Sequence, residues 1–227
     1  MARRGKKYRK IVEKKEHKVY NLNEAIQQVK KLSYSSFPAT IELHAALKLT
    51  KDLEPKSIKG TVSLPHSESK DVKIAVFTTP ADEKKAKEAG ADLVGTEDIM
   101  KEVKEGKINF DVAIATPEVM PQIAQLGKEL GPKGLMPNPK TGTVTNDIKQ
   151  AIEEYKKGKT NFAADAKGVV HMAVGKIDLE DKKIEENIQE ALQAIVSAVN
   201  GREVHQTIRK THLAPTMGPS VEFKLSD

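Results

Sequence analysis

From Asn21 onward, apolar residues recur at helical spacing. Leu22, Ala25, Ile26, Val29 and Leu32 fall on one face, and Asn21 followed three residues later by Glu24 reads as a capping box. The period then changes to two: Ile41, Leu43, Ala45, Leu47 and Leu49 alternate with mostly polar neighbours, and Ile58, Val62 and Leu64 follow, interrupted by Gly60. Residues 39–49 and 57–65 therefore read as amphipathic strands with one wet face, the habit of an antiparallel sheet.

Between about 70 and 158 the style is different. Short continuous apolar runs at 72–77, 92–94 and 111–115 are each followed by a helical pattern. The helices read as 81–89 ended by Gly90, 97–105 ended by Gly106, 117–126, and 146–157 ended by Gly158. Strands apolar on both faces that alternate with crossover helices imply a small parallel, Rossmann-like α/β domain. After Gly158 the earlier style returns, with strand-like 161–164 and 169–174. A long helix follows, with Ile184, Ile188, Leu192, Ile195 and Val199 as its stripe and Gly201 as its end. Alternating segments at 206–213 and at Val221, Phe223 and Leu225 close the chain. The economical fold is a mixed α/β and α+β protein of two domains. Both chain ends, 1–67 plus 160–227, form a two-layer α+β domain, and 68–159 is the inserted α/β domain. Crossings near 65–70 and 158–160 would form a hinge that permits relative motion.

Composition narrows the function. Hydrophobic residues make up 38% and charged residues 31% of the 227, enough for real cores under a densely charged surface. The absence of cysteine removes disulfides, thiolate chemistry and Cys-ligated zinc. Without an apolar run of about 18 residues, or an apolar stretch behind the basic N-terminus, neither a membrane span nor a signal peptide is expected, which leaves the cytoplasm as the default. The net charge of +6 is concentrated in residues 1–20. Nine basic side chains there (Arg3, Arg4, Lys6, Lys7, Arg9, Lys10, Lys14, Lys15, Lys18) meet only Glu13 and Glu16, so the rest of the chain is nearly neutral. A basic arm on a neutral body suits nucleic acid, because it releases condensed counterions without making the body repel itself. A merely solubilising tail is the plainer reading.

The catalytic inventory is poor. Histidines 17, 44, 66, 171, 205 and 212 show no pair at metal-binding helical spacing, and neither a nucleophile-elbow nor a dinucleotide-binding glycine motif occurs. Carboxylate pairs such as Glu153 with Glu154 and Glu185 with Glu186 lie among lysines on wet helix faces. No catalytic residues, metal or cofactor are therefore expected, and the chain does not read as an enzyme.

Three places stand out instead. Residues 130–144, Leu-Gly-Pro-Lys-Gly-Leu-Met-Pro-Asn-Pro-Lys-Thr-Gly-Thr-Val, carry three glycines and three prolines, too many for helix or central strand. The stretch also holds Leu135 and Met136, so an ordered surface loop is expected, offering backbone N–H groups, Lys133, Lys140, Thr141 and Thr143 to phosphate or ribose. It lacks the Gly-Lys-Ser/Thr ending of a P-loop. Near the C-terminus, Ala214 to Pro219 joins two expected strands. Thr216 brings a hydroxyl there, Met217 an adaptable apolar contact and Gly218 a closely approachable backbone, although a plain hairpin turn would explain the segment too. Phe37, between helix and strand, could stack on a base or anchor the core. His171, beside a Val-rich strand, reads as a packed or hydrogen-bonded residue. Aromatics are only 4%, which favours hydroxyl, backbone and phosphate contacts to a folded RNA over paired stacking.

At these residues the sequence resembles a family: the large-subunit ribosomal protein of the mobile stalk beside the tRNA exit site, numbered one in that subunit, in its bacterial form. The resemblance covers essentially the whole chain. It rests on residues 130–144, on Thr216-Met217-Gly218-Pro219, on Gly168-Val169-Val170-His171 with Val174-Gly175-Lys176, and on Phe37 with Thr40 and Glu42. It implies a protein, monomeric when free, that binds large-subunit (23S) rRNA through its discontinuous domain, helps deacylated tRNA leave the exit site, and represses translation of its own mRNA. Carried onto this chain, the RNA-contacting set is Phe37, Thr40, Glu42, Lys167, Gly168, His171, Thr216, Met217 and Gly218. Lys133, Gly134, Lys140 and Thr141 would form a secondary RNA or tRNA contact. The flanks depart from the family pattern at Ser36, Pro38, Ala39, Ala214 and Pro215, and the lysine usual just after Asp165 stands at Lys167. The competing expectation is a small-molecule α/β enzyme or sensor with its ligand at the strand ends of the middle domain.

Overall fold

The computed structural model describes residues 5–225 apart from 14, 17, 49–54, 56, 57, 67–71, 81, 132, 157 and 200–202; of Glu97 and Lys140 it describes the main chain only. The expected helix end at Gly201, most of the 65–70 crossing and part of the basic leader lie outside the described residues. The chain divides into two compact units, one from both chain ends (Met1–Glu68 and Asn161–Asp227) and one from Ser69–Thr160.

In the first unit α1 (Lys6–Glu13) and α2 (Leu22–Leu32) precede β1 (Thr40–Leu47) and β2 (Lys59–Ser63). After the second unit come β6 (Lys159–Ala163), β7 (Val169–Lys176), α8 (Asp181–Ala198), the one-turn α9 (Val204–Thr207), β8 (Ile208–Pro215) and β9 (Val221–Phe223). Four strands form an antiparallel sheet in the order β7-β1-β8-β9, and β2 pairs with β6 in a ladder of its own. The two-residue period delivers what it promises: Ile41, Leu43, Ala45 and Leu47 of β1, Val170, Met172 and Val174 of β7, and Leu213 of β8 all point to one core. Against them α2 lays Ala25, Ile26 and Val29, and α8 lays Ile184, Ile188, Ala191 and Ile195, all fully buried. Each large side chain so buried contributes about 1.5–3 kcal/mol, which is why the opposite sheet face is free to be polar. Lys30 on α2 ties the helices together by donating to the Asp181 carboxylate (2.6 Å) and to the Leu179 carbonyl.

A fully buried amide sits inside this core. Asn187 of α8 accepts from the main-chain N–H of His66 (3.0 Å) and donates to the carbonyls of His66 (3.1 Å) and Val174 (2.8 Å). A buried amide is tolerated because all of this capacity is used, and it fastens the segment after β2 to both α8 and β7.

The second unit holds β3 (Ile74–Phe77), α3 (Glu83–Glu88), β4 (Leu93–Val94), α4 (Glu97–Lys104), β5 (Val112–Ala115), α5 (Met120–Ile123), α6 (Gly127–Leu130) and α7 (Ile148–Lys156). Its sheet is parallel, in the order β4-β3-β5. Every residue of β3 is buried. Ile74 and Val76 meet Ile148, Ile152 and Tyr155 of α7 on one face, while Ala75 and Phe77 meet Val103, Ile123, Leu126 and Leu130 on the other. The fold class read from the sequence is the one observed.

Three elements differ from expectation. The basic leader is partly helical: in α1, Tyr8, Ile11 and Val12 are half-buried at helical spacing, and Ile11 packs on the first unit's core. The helix expected over 117–126 is broken into short 3₁₀ and α turns that continue to Leu130, because Pro121 has no N–H for the carbonyl of Pro117. Gln206 and Thr207, expected in a strand, instead end α9, where Thr207 returns both its N–H and its hydroxyl to the Glu203 carbonyl.

Replacing Asn187 by Ala would leave the buried Val174 carbonyl and the half-buried carbonyl and N–H of His66 without this partner. A loss of about 2–4 kcal/mol is expected, measured by urea denaturation.

Candidate nucleic-acid interface

The end of the antiparallel sheet where β1 begins and β8 ends gathers the residues singled out at both termini. The N–H of Thr216 donates to the Thr40 carbonyl (2.9 Å), and the Thr216 hydroxyl accepts from the Thr40 N–H (3.1 Å) and lies 3.2 Å from the same carbonyl. Thr216 therefore spends its hydroxyl on holding the turn to β1 rather than presenting it outward. The turn closes through the N–H of Gly218 to the Pro215 carbonyl (3.0 Å). A Cβ on Gly218 would collide with the Pro215 ring and crowd the Leu32 carbonyl, so only glycine fits.

Between them, Met217 takes φ 71°, the only positive φ at a non-glycine among the described residues. It is also 64% exposed. A left-handed backbone at a long side chain costs on the order of 1 kcal/mol and survives only where its surroundings enforce it. No core contact is gained in return, and the thioether is left displayed at the surface. Phe37 stands 51% exposed, which settles its role: it is no core anchor. Its carbonyl accepts from the Ser35 hydroxyl (2.9 Å), which shapes the loop that carries it.

Along the sheet, register lines up the outward side chains. Across β7-β1-β8-β9 the residues His171, His44, His212 and Glu222 form one row, and Ala173, Glu42 and Ala214 form the next. The imidazole Nδ1 atoms of His44 and His171 are 2.7 Å apart with the rings edge-to-face, and the Glu42 carboxylate lies 4.0 Å from His44 Nε2. Sequence reading picked out His171 and Glu42 but missed His44 and His212. The recoverable signal was that both alternate with core residues and so must point outward.

The β6–β7 turn carries Lys167 and Gly168. Asp165 accepts from the N–H groups of Lys167 (2.9 Å) and Val169 (2.8 Å), bonds that hold its carboxyl below the usual carboxylate range. Gly168 is buried at φ 75° with its carbonyl taken by the Leu47 N–H (2.9 Å), so it shapes the turn and leaves the exposed Lys167 to face outward. The loop of the second unit is ordered, as expected, with Leu135 and Met136 packed on that unit's core. Its threonines, however, face in. The hydroxyls of Thr141 and Thr143 lie 3.0 Å apart and converge on the Asn138 carbonyl (2.9 and 3.1 Å). Lys133 and Gly134 are exposed; the Lys140 side chain lies outside the described residues.

The model of the ribosomal protein L1p/L10e family matches residues 29–219. The chain belongs to this family. Relatives in the family include the large ribosomal subunit protein uL1 of Thermosipho africanus, 42% identical over 226 residues that cover 98% of this chain and 97% of the relative. The uL1 of Fervidobacterium nodosum is 42% identical over 230 residues (100% and 97%), and that of Kosmotoga olearia 39% over 226 (98% and 97%). Every candidate residue at the sheet end, on its outer face and in the second unit's loop falls inside the family span, whereas the basic leader lies before it.

The histidines of this L1p/L10e member feel their setting. Burial pushes the His44 imidazole below its ordinary value, with His171 adding to the effect, and burial does the same to His212. Among the described residues no group of three or more His, Asp or Glu is arranged to hold a metal ion. No helix among them is long and apolar enough to cross a membrane.

Met217→Gly is expected to raise stability by about 0.5–1 kcal/mol in urea unfolding, the relief of the left-handed strain exceeding the entropy that glycine adds to the unfolded chain. A histidine whose folded value is depressed binds fewer protons folded than unfolded. Thermal stability should therefore fall as pH drops below the unfolded value of 6.5 and through the folded values, and the His44→Gln, His212→Gln double variant should fall less.

Proposed function

We propose that this protein is a non-enzymatic, cytoplasmic constituent of the large ribosomal subunit, monomeric when free, that binds 23S rRNA through the first unit. The observation that carries the reading is the Met217 turn: an exposed methionine held in a left-handed backbone by the Thr216–Thr40 clamp, beside an exposed Phe37. Such a surface recognises shape. The thioether and ring lie against sugar or base faces, and exposed main-chain groups, Lys167 and His171 meet phosphate and ribose. The lysine-rich leader adds attraction without selectivity. Family membership supports the same reading, since the relatives are named as proteins of the large ribosomal subunit.

Two further roles extend this reading. An RNA that mimics the ribosomal site would compete for it, so the protein represses translation of its own messenger. The exposed Lys133 and Gly134 of the second unit give a separate contact by which deacylated tRNA is helped from the exit site.

Affinity for the rRNA site should drop steeply with salt, on the order of 10³-fold between 50 and 200 mM if six or more phosphates are neutralised. Thr216→Val and Met217→Asp should weaken binding to that site while leaving binding to random RNA in place, as read by filter binding or fluorescence anisotropy. Equal losses on both RNAs would reduce the turn to a structural link. A small molecule that raises Tm without RNA would favour a ligand-binding role for the second unit.

A further inference from the structure

The residues assigned to RNA leave His44 and His212, in the middle of the outer sheet face, unaccounted for. Thr40 and Thr216 mark one end of that face, and Lys167, in the β6–β7 turn, lies toward the other, with His171 level with His44. His44 stands between them, four residues along β1 from Thr40, a rise of roughly 13 Å. An RNA that touches both ends passes over His44. Of the neighbouring outward positions, Ala46 on β1, Ala173 on β7 and Ala214 on β8 are small, while Glu42, Lys210 and Glu222 bring charge to the face around the half-buried imidazoles of His44 and His212.

We propose that the row His171–His44–His212 is a proton-linked phosphate contact, so that RNA binding draws protons onto the sheet face and affinity rises as pH falls. The inference rests on the RNA-binding reading above and concerns the regulation of that same surface.

The geometry lets the free pair carry one added charge, on the outer nitrogen of the donating ring, but not two. With Nδ1 atoms 2.7 Å apart, His44 and His171 share one proton in a hydrogen bond, one ring donating and the other accepting. A second proton there would set two N–H donors head-on. An anion that draws the two rings apart removes that conflict by accepting an N–H from each. The charges around the row are of both signs. On β8, Lys210 pairs with Glu222 of β9 at 3.3 Å, and both act on His212, as does Lys15 from the leader. On the other side His171 Nε2 is 3.9 Å from Asp165, whose carboxylate is already held by two main-chain N–H groups. Glu42 on β1 is the remaining acid, 4.0 Å from His44. The depressed proton affinities of His44 and His212 in the free protein agree with a face that waits for an anion before charging.

The test measures affinity for a large-subunit rRNA fragment carrying the stalk region at constant salt, from about pH 7.5 to about pH 5.5, with random RNA of equal length alongside. Each proton taken up on binding changes affinity about tenfold per pH unit inside the titration window, so at least a tenfold gain is expected over that range. The His44→Gln, His212→Gln variant should lose most of that slope on the rRNA fragment. Histidine Hε1 shifts followed by NMR in free and bound protein should move to higher titration midpoints on binding. A wild-type affinity without pH dependence, a slope the double variant keeps, or unchanged midpoints would overturn the proposal while leaving the RNA-binding reading in place. Failure of the wild type to prefer the rRNA fragment at any pH would overturn the reading beneath it as well.

Discussion

Strand β1 is the constraint on which the first unit depends. It lies inside its sheet, and both of its edges are satisfied by strands from the far end of the chain, β7 on one side and β8 on the other. Because side chains alternate strictly along a strand, fixing Leu43 and Ala45 against α2 and α8 fixes Glu42 and His44 outward in the same stroke. The register then does the rest. His44 meets its neighbour 127 residues away, and Thr40 meets a hydroxyl 176 residues away. No local segment contains the candidate site, which exists only once the long-range ladder has closed.

This explains what could and could not be read in advance. The two-residue period of 41–47 and the continuous apolar run at 72–77 were enough to separate an antiparallel layer from a buried parallel one, because burial on one face or two leaves different patterns. Residues such as Phe37, Met217 and Gly218 stood out because they look misplaced: large apolar groups and a tight glycine where a connection would use polar residues. The histidine row was hidden for the opposite reason. His44 and His212 are unremarkable one at a time, and only strand register makes them neighbours. Thr141 and Thr143 were legible as an unusual pair but not in their direction, since their convergence on the Asn138 carbonyl is set by the fold of the loop. The Pro121 break and the half-buried face of α1 could have been read from the chain, the first from a missing donor and the second from three apolar residues among lysines.

The site works with little aromatic surface. On the proposed reading its selectivity lies in shape, held by a glycine with no room for a side chain and by a methionine in a backbone it would not choose, while its reach comes from lysines and imidazoles. Such a division would let charge be adjusted without disturbing the turn proposed to do the recognising. The clamp between Thr40 and Thr216 belongs to the shape half of this division, which is why its hydroxyl faces inward.

The split origin of the sheet also bears on how the chain is made. When β1 leaves a ribosome, its partners are more than a hundred residues from being translated. At about 5–20 residues per second both its edges stay unpaired for on the order of ten seconds. During that interval the Ser69–Thr160 unit is completed and can fold by itself, since its parallel sheet draws on nothing outside it. A nascent chain therefore passes through a stage with a finished middle and an unfinished beginning, when the β1 edges are open to pairing with other chains and RNA has no assembled surface to hold.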